Sequence, residues 1–141
     1  MNLEFIQDLW DKDSIIDTEL LHNESTKIPA LHAKYYKIYN NILTLKKAQE
    51  TQYKILKKEK WQYYTGKASP EVYVEKPFDF KVLKADLDKY FDADADIIKC
   101  TAKIEYQQIM LEYLESILKV ISNRTYQIKN AIEWQRFTNG L

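Results

Sequence analysis

The stretch that decides the fold is residues 97–135, IIKCTAKIEYQQIMLEYLESILKVISNRTYQIKNAIEWQ. Mostly apolar side chains recur there at steps that alternate between three and four, namely Ile97, Cys100, Ile104, Gln107, Leu111, Leu114, Leu118, Ile121, Thr125, Ile128, Ile132 and Gln135. Steps of this size keep side chains on one face of an α-helix. The pattern predicts one long helix with a continuous packing seam.

A second pattern of the same kind begins beside Pro29 and ends before Gly66. Its members are Ile28, Leu31, Tyr35, Ile38, Ile42, Leu45, Gln49, Gln52 and Leu56. Proline lacks an amide hydrogen and clashes with the preceding turn, so a helix should kink or restart at Pro29. Glycine is a good helix terminator, so this second long helix should stop near Tyr64, just before Gly66.

Shorter elements complete the prediction. Residues 3–10 read as a short helix, and a further helix is expected to begin near Asp17. Residues 66–79 form a loop with room for a short extended piece at 72–74, and residues 80–90 read as a short amphipathic helix.

These patterns predict an all-α chain with a long helical hairpin and short extra helices. We expect a single domain, 1–141, with N-terminal helices and a basic segment in 1–65, a loop at 66–79 and oligomerising helices in 80–141. Two helices of this length would make a thin hairpin with little interior. The hairpin is therefore expected to self-associate, with a monomeric three- or four-helix bundle as the alternative.

Charge is unevenly distributed although 21 basic and 21 acidic residues cancel. Residues 1–24 hold seven acidic residues and one Lys, whereas residues 34–60 hold eight Lys and two Glu. A neutral chain can therefore still present one positive surface. No apolar run reaches membrane-spanning length, and the one cysteine permits no intrachain disulfide. We therefore expect no targeting segment and a cytoplasmic protein without membrane contact.

The strongest local feature is residues 55–67, ILKKEKWQYYTGK. On a helix, Lys47, Lys54 and Lys58 share one face, and a neighbouring stripe carries further lysines and tyrosines. Lysines can follow phosphates, and aromatic rings offer faces on which bases stack. The predicted DNA-binding residues are Lys47, Lys54, Lys57, Lys58, Lys60, Trp61, Tyr63 and Tyr64. The alternative is a solvated face whose aromatic side chains are buried in the hairpin.

Other motifs point to structure rather than chemistry. Asp92, Asp94 and Asp96 resemble the start of a calcium loop, but Ile97 and Lys103 stand where such a loop needs Gly and Glu. The three aspartates are expected to cap and charge the start of the last helix. A single Glu-x-x-His step, no phosphate loop and a cysteine on the packing seam predict no metal, no cofactor and no enzymatic activity.

In the segment YKILKKEKWQYYTGK the chain resembles the UvsY family of recombination mediators of T4-like bacteriophages. The similarity extends to Leu3-Glu4, to the Ile16-Asp17 step, to the Tyr63-Tyr64-Thr65-Gly66 ending, and to residues 95–137 with Ser122-Asn123-Arg124 and Ile128-Lys129. It covers nearly the whole chain in order, spacing and length.

The resemblance implies a helical protein that forms a ring-like homo-oligomer, a heptamer, and binds single-stranded DNA. It implies that the protein weakens the hold of the phage single-strand-binding protein and promotes loading of the RecA-like recombinase UvsX, in the cytoplasm of the infected bacterial host. The family's basic DNA motif falls on Lys58 and Lys60. Lys60 replaces a usual Arg, Trp61-Gln62 replaces a Leu-Asp pair, and Glu59 adds a negative charge.

The resemblance also implies that the C-terminal region makes the oligomer. The predicted oligomerisation residues are Ile104, Leu111, Leu114, Leu118, Ile121, Ile128 and Ile132. Two other functions remain open from the sequence: a helical protein–protein scaffold whose lysines only solvate it, and a helical protein that lies on a membrane surface.

Overall fold

The fold is all-α, as predicted. A computed structural model describes residues 1–140, and this range contains no strand. The helices are α1 (Leu3–Asp13), α2 (Leu21–Thr26), α3 (Ile28–Tyr64), α4 (Pro70–Glu75), α5 (Leu87–Ala93) and α6 (Ala95–Thr138), with a 3₁₀ turn at Lys84–Asp86. None of these helices is both long and apolar enough to cross a membrane.

The two ends of α3 lie close to Pro29 and Gly66, where the sequence pattern predicted them. Helix α2 ends at Thr26 and α3 begins at Ile28, so Pro29 lies in the first turn of a new helix. A proline is tolerated there because the amide hydrogens of a first turn have no partner within the helix. At the other end Gly66 has a φ of +77°, and the amide of Lys67 donates to the carbonyl of Gln62. Both predicted ends of α3 are confirmed.

Three predictions about the short elements are wrong. No helix begins near Asp17, because its carboxylate accepts the amide of Glu19 in a turn and α2 starts only at Leu21. The piece at 72–74 is helical rather than extended, since Pro70 occupies the first turn of α4 after Ser69. In residues 80–90 only the 3₁₀ turn and the start of α5 are helical.

The chain divides into two compact units, and both long helices contribute to each. The terminal unit comprises Met1–Leu43 and Ile109–Leu141, and the central unit comprises Thr44–Gln108. In the terminal unit the core is made by α1, the first part of α3 and the second part of α6. Its fully buried side chains are Tyr35, Ile6, Leu114, Ile117 and Ile121.

A buried arginine closes one end of the terminal unit. The side chain of Arg124 is 3% exposed and donates to the carbonyl oxygens of Asp13 and Ser14 at 2.9 and 3.0 Å. Asp13 is the last residue of α1 and Ser14 is its C-cap, so these carbonyls have no partner within the helix. Beside them the carboxylate of Asp13 accepts the hydroxyl of Tyr35 at 2.8 Å and the ammonium of Lys34 at 2.6 Å. Arg124 therefore belongs to the core of this unit.

Candidate nucleic-acid interface

The second half of α3, in the central unit, carries a row of exposed lysines. Lys47, Lys54, Lys57 and Lys58 are all exposed, and none of them makes an ion pair with any residue in 1–140. Lys57 lies over the rings of Tyr53 and Phe91, with its Nζ 5.9 and 5.7 Å from the ring centres. Four of the five predicted lysines are thus available to phosphate groups.

Lys60, the fifth predicted lysine, is held within the chain. Its side chain is 15% exposed, and its Nζ lies 2.7 Å from Oδ2 of Asp96 and 3.3 Å from Oδ2 of Asp94. Burial lowers the pKa of Lys60, but the hydrogen bonds to Asp96 and Asp94 outweigh burial and raise it above its ordinary value. The ammonium therefore stays charged, with two carboxylates as its counter-ions.

Asp94 connects this lysine to the start of α6. Its Oδ1 accepts the backbone amides of Asp96 and Ile97 at 2.9 and 3.1 Å, and its Oδ2 accepts the hydroxyl of Tyr64 at 2.6 Å. Burial raises the pKa of Asp94, but the bonds from Tyr64, Ile97 and Lys60 together lower it below its ordinary value. The predicted capping role is confirmed for Asp94. Within 1–140 no cluster of His, Cys, Asp and Glu could hold a metal ion.

The two predicted tyrosines lie in an aromatic cluster of the central unit. The ring of Tyr63 stacks on Tyr73 at 5.5 Å between centres, and its hydroxyl donates to the carbonyl of Lys76. The ring of Tyr64 contacts Phe78 and several other rings, all at 5.1–6.2 Å, namely Tyr63, Tyr90 and Phe91. Both tyrosines are half-buried, and their rings and hydroxyls contact residues of the same unit.

Trp61 differs from the tyrosines because its ring stays accessible. It is 38% exposed, and Lys67 Nζ lies 4.4 Å from the ring centre. Together with Lys54, Lys57, Lys58 and Phe91 it lines a concave surface. The candidate interface therefore consists of exposed lysines and one exposed indole, with half-buried tyrosines and the buried Phe91 beside them.

The predicted oligomerisation residues of α6 have different surroundings. Leu111, Leu114, Ile121 and Ile128 are at most 2% exposed and lie inside the terminal unit. Ile104 and Leu118 are half-buried, and Ile132 is 39% exposed. The apolar seam predicted from the sequence thus packs largely inside the chain.

In the terminal unit, α6 also exposes three large apolar side chains on one side, which the sequence pattern did not reveal. Ile109, Val120 and Trp134 are 51%, 38% and 65% exposed. Eleven and fourteen residues separate them, close to three and four whole turns of helix, so they share one side of α6. These three positions fall outside the regular heptad pattern of α6, so the sequence analysis did not select them.

The sequence pattern also did not reveal the contact of Lys60 with Asp94 and Asp96. Both partners were identified, the lysine as a DNA contact and the aspartates as a helix cap, but they are 34 and 36 residues apart. One signal was present, since the basic segment closes one long helix and the acidic segment opens the other. Gln49 and Lys60 of α3 contact Cys100 and Asp96 of α6, so the end of α3 lies beside the start of α6 although a long connection separates them in sequence.

An all-helical chain with unpaired lysines beside an exposed tryptophan has the features of a nucleic-acid-binding helical protein. The family of recombination, repair and ssDNA binding protein UvsY matches residues 9–141. The chain therefore belongs to the UvsY family, and its role is that of a recombination mediator.

Similar proteins agree over the full length. The chain is 25% identical to recombination protein uvsY of Enterobacteria phage T4 over 140 residues, which is 99% of each chain. It is also similar to two crystal structures of the bacteriophage T4 recombination mediator protein UvsY, each at 25% identity. The TM-scores are 0.87 for lattice type II, covering 99% of this chain and 98% of that one, and 0.83 for lattice type IV, covering 98% and 99%.

Proposed function

We propose that this protein binds single-stranded DNA through the lysine face of α3 and promotes loading of a RecA-like recombinase in place of the single-strand-binding protein. One observation carries the proposal: Lys47, Lys54, Lys57 and Lys58 are exposed on one helix without ion pairs in the described chain. Unpaired lysines release counterions when they meet phosphates, which drives binding without a base code.

The remaining predicted residues take supporting roles in this proposal. Trp61 lines the same surface as Lys54, Lys57 and Lys58. Tyr63 and Tyr64 fix the end of α3, and Lys60 is shared between two aspartates and any phosphate that approaches. DNA binding is thus assigned mainly to the exposed lysines and Trp61.

Self-association is the second part of the proposal. We assign it to α6, with Ile109, Val120 and Trp134 as the contact face, because exposed apolar residues on one helix side favour burial against another chain. A ring such as the heptamer would place several lysine faces on one strand. Linked weak contacts then give tight binding, since each further contact is intramolecular.

The mediator would act in the cytoplasm of the infected bacterial host on three partners: single-stranded DNA, the phage single-strand-binding protein and a UvsX-like recombinase. A multivalent basic ring can hold a strand while single contacts exchange. This lets a recombinase replace the single-strand-binding protein segment by segment without release of the strand. None of these events requires an enzyme activity or a cofactor.

The test is fluorescence anisotropy of a labelled oligothymidylate across a salt series. The wild type is compared with Lys54→Ala/Lys58→Ala and with the control Lys119→Ala/Lys129→Ala, which removes the same charge from exposed sites in the terminal unit. We expect weaker binding for the first variant alone, with a salt slope smaller by about 0.7 for each phosphate that is no longer neutralised. An oligomeric wild type without salt-dependent binding would instead favour a helical protein–protein scaffold.

A further inference from the structure

The concave surface in front of Trp61 has the chemistry of a site for one nucleotide. Three lysines, Lys54, Lys57 and Lys58, line it together with Trp61 and Phe91. Its volume is ≈ 340 Å³, near the lower end of the roughly 300–1,000 Å³ found for small-molecule sites. This volume suits one unstacked base with its phosphates rather than a larger ligand.

The charged residues that line this concave surface are all basic, unlike those of the neighbouring groove on the same helix. That groove is lined by Lys60, Lys67 and Lys76, but also by Glu59, Glu75 and Asp96. In residues 1–140, no acidic side chain lines the surface at Trp61. An anion therefore meets three cations at the concave surface but charges of both signs in the neighbouring groove.

The aromatic part of the surface is supported from behind. Phe91 is only 8% exposed, and its ring contacts Tyr64 at 6.2 Å between centres. Trp61 keeps 38% of its surface exposed, and Lys67 already uses its π-system at 4.4 Å. Lys67 does not line the concave surface, so the part of the indole that borders this surface is left for a base.

We infer that Trp61 is a stacking residue for one unpaired nucleobase, with Lys54 and Lys58 binding the flanking phosphates. Resting on the proposed function, this defines the ligand as an unstacked base of single-stranded DNA. A base within a duplex has both faces covered by its neighbours. The site therefore selects single strands by chemistry that a lysine row alone does not have.

The inference is tested with two oligonucleotides of equal length and charge, one of thymidine and one of abasic residues. The wild type should bind the thymidine strand at least about fivefold more tightly, because only that strand has bases that can stack. Trp61→Leu, which keeps apolar bulk without a π-face, should lose this preference, and Trp61→Phe should keep it. Circular dichroism and sedimentation check that each variant retains fold and assembly.

A second measurement uses the unaltered chain and so does not depend on variant folding. A strand that carries 5-iodouracil is irradiated in the complex, and the cross-linked peptide is identified by mass spectrometry. We expect a cross-link at Trp61. Cross-links only at other residues, or a base preference that survives in Trp61→Leu, would overturn the inference.

The outcomes also separate this inference from the proposed function. Equal, salt-dependent binding of both strands by the wild type would remove the stacking site and leave the lysine face intact. No salt-dependent binding of either strand would remove both.

Discussion

Lys60 Nζ lies 2.7 Å from a carboxylate oxygen of Asp96, so a lysine of the basic segment is bound to the acidic segment of the same chain. The lysine is 15% exposed, whereas Asp96 is 53% exposed. A phosphate that approaches Lys60 therefore competes with a carboxylate already in place. In the proposed complex with DNA, this ion pair would set how much of the charge of Lys60 is available to a phosphate.

Replacing Asp96 with Asn should strengthen DNA binding. The substitution removes one of the two counter-ions of Lys60 and leaves a neutral group of similar size. We expect tighter binding of single-stranded DNA and a salt slope steeper by up to about 0.7 for each subunit engaged. Anisotropy across a salt series measures both.

Asp92→Asn is the matched control for that experiment. It removes the same charge from an exposed position of the same acidic segment, and Asp92 makes no ion pair within 1–140. Equal effects of the two substitutions would mean that overall charge, not the release of Lys60, controls affinity.

Asp94→Ala should destabilise the protein. The substitution removes a helix cap, leaves the hydroxyl of Tyr64 without its acceptor and takes one carboxylate from Lys60. We expect the free energy of unfolding to fall by about 2–3 kcal/mol, from typical costs of removing a cap and of leaving a buried group unsatisfied. Urea denaturation at fixed protein concentration measures it.

For that measurement Asp92→Ala serves as the comparison, because an exposed site without partners should change stability by no more than about 0.5 kcal/mol. A similar small change for Asp94→Ala would show that the connection between Tyr64, Lys60 and the start of α6 contributes nothing to stability.

Acid should weaken the fold through the same carboxylates. Burial raises the pKa of Asp94, but its hydrogen bonds outweigh burial and lower the pKa below the ordinary Asp value. The hydrogen bond from Lys60 is the main cause of the lowered pKa of Asp96. The folded state therefore binds fewer protons than the unfolded state as the pH falls below about 4. The stabilisation is complete above about pH 5 and disappears as the pH falls through the lowered pKa values.

Urea midpoints at pH 7, 5, 4 and 3 check this sign. The wild type should lose stability mainly between pH 5 and pH 3. Asp94→Asn, already less stable at pH 7, should lose less stability over the same range. A pH dependence unchanged by Asp94→Asn would assign the acid sensitivity to other groups.

Periodicity predicted the long helices well because each is a local pattern repeated over many turns. Pro29 and Gly66 then fixed the ends of α3, since each imposes a backbone constraint that does not depend on tertiary contacts. The short elements between them failed for the opposite reason. In residues 66–93 the backbone follows aromatic packing around Tyr63, Tyr64 and Phe78, and no local spacing encodes that packing.

The candidate site was predictable in composition but not in division of roles. A sequence shows that lysines and rings lie together near the end of α3. It does not show that Lys60 faces Asp94 and Asp96 or that Tyr64 is turned inward while Trp61 stays exposed. Those differences depend on which neighbours reach each side chain from α5 and the start of α6.

Val120→Glu should weaken self-association and, through it, DNA binding. Val120 lies between Ile109 and Trp134 on the face of α6 that we propose for self-association, where a carboxylate buried against another chain would lose its hydration. We expect a smaller mass by sedimentation at equal concentration, with unchanged helicity. In the proposed oligomer several lysine faces bind one strand, so its dissociation should lower DNA affinity by at least about tenfold although every lysine remains. Thr125→Glu, exposed on the same helix but outside this face, should leave the mass unchanged. An unchanged mass for Val120→Glu would require the oligomer interface to lie on another surface, and an unchanged affinity in a dissociated variant would show that one lysine face suffices for binding.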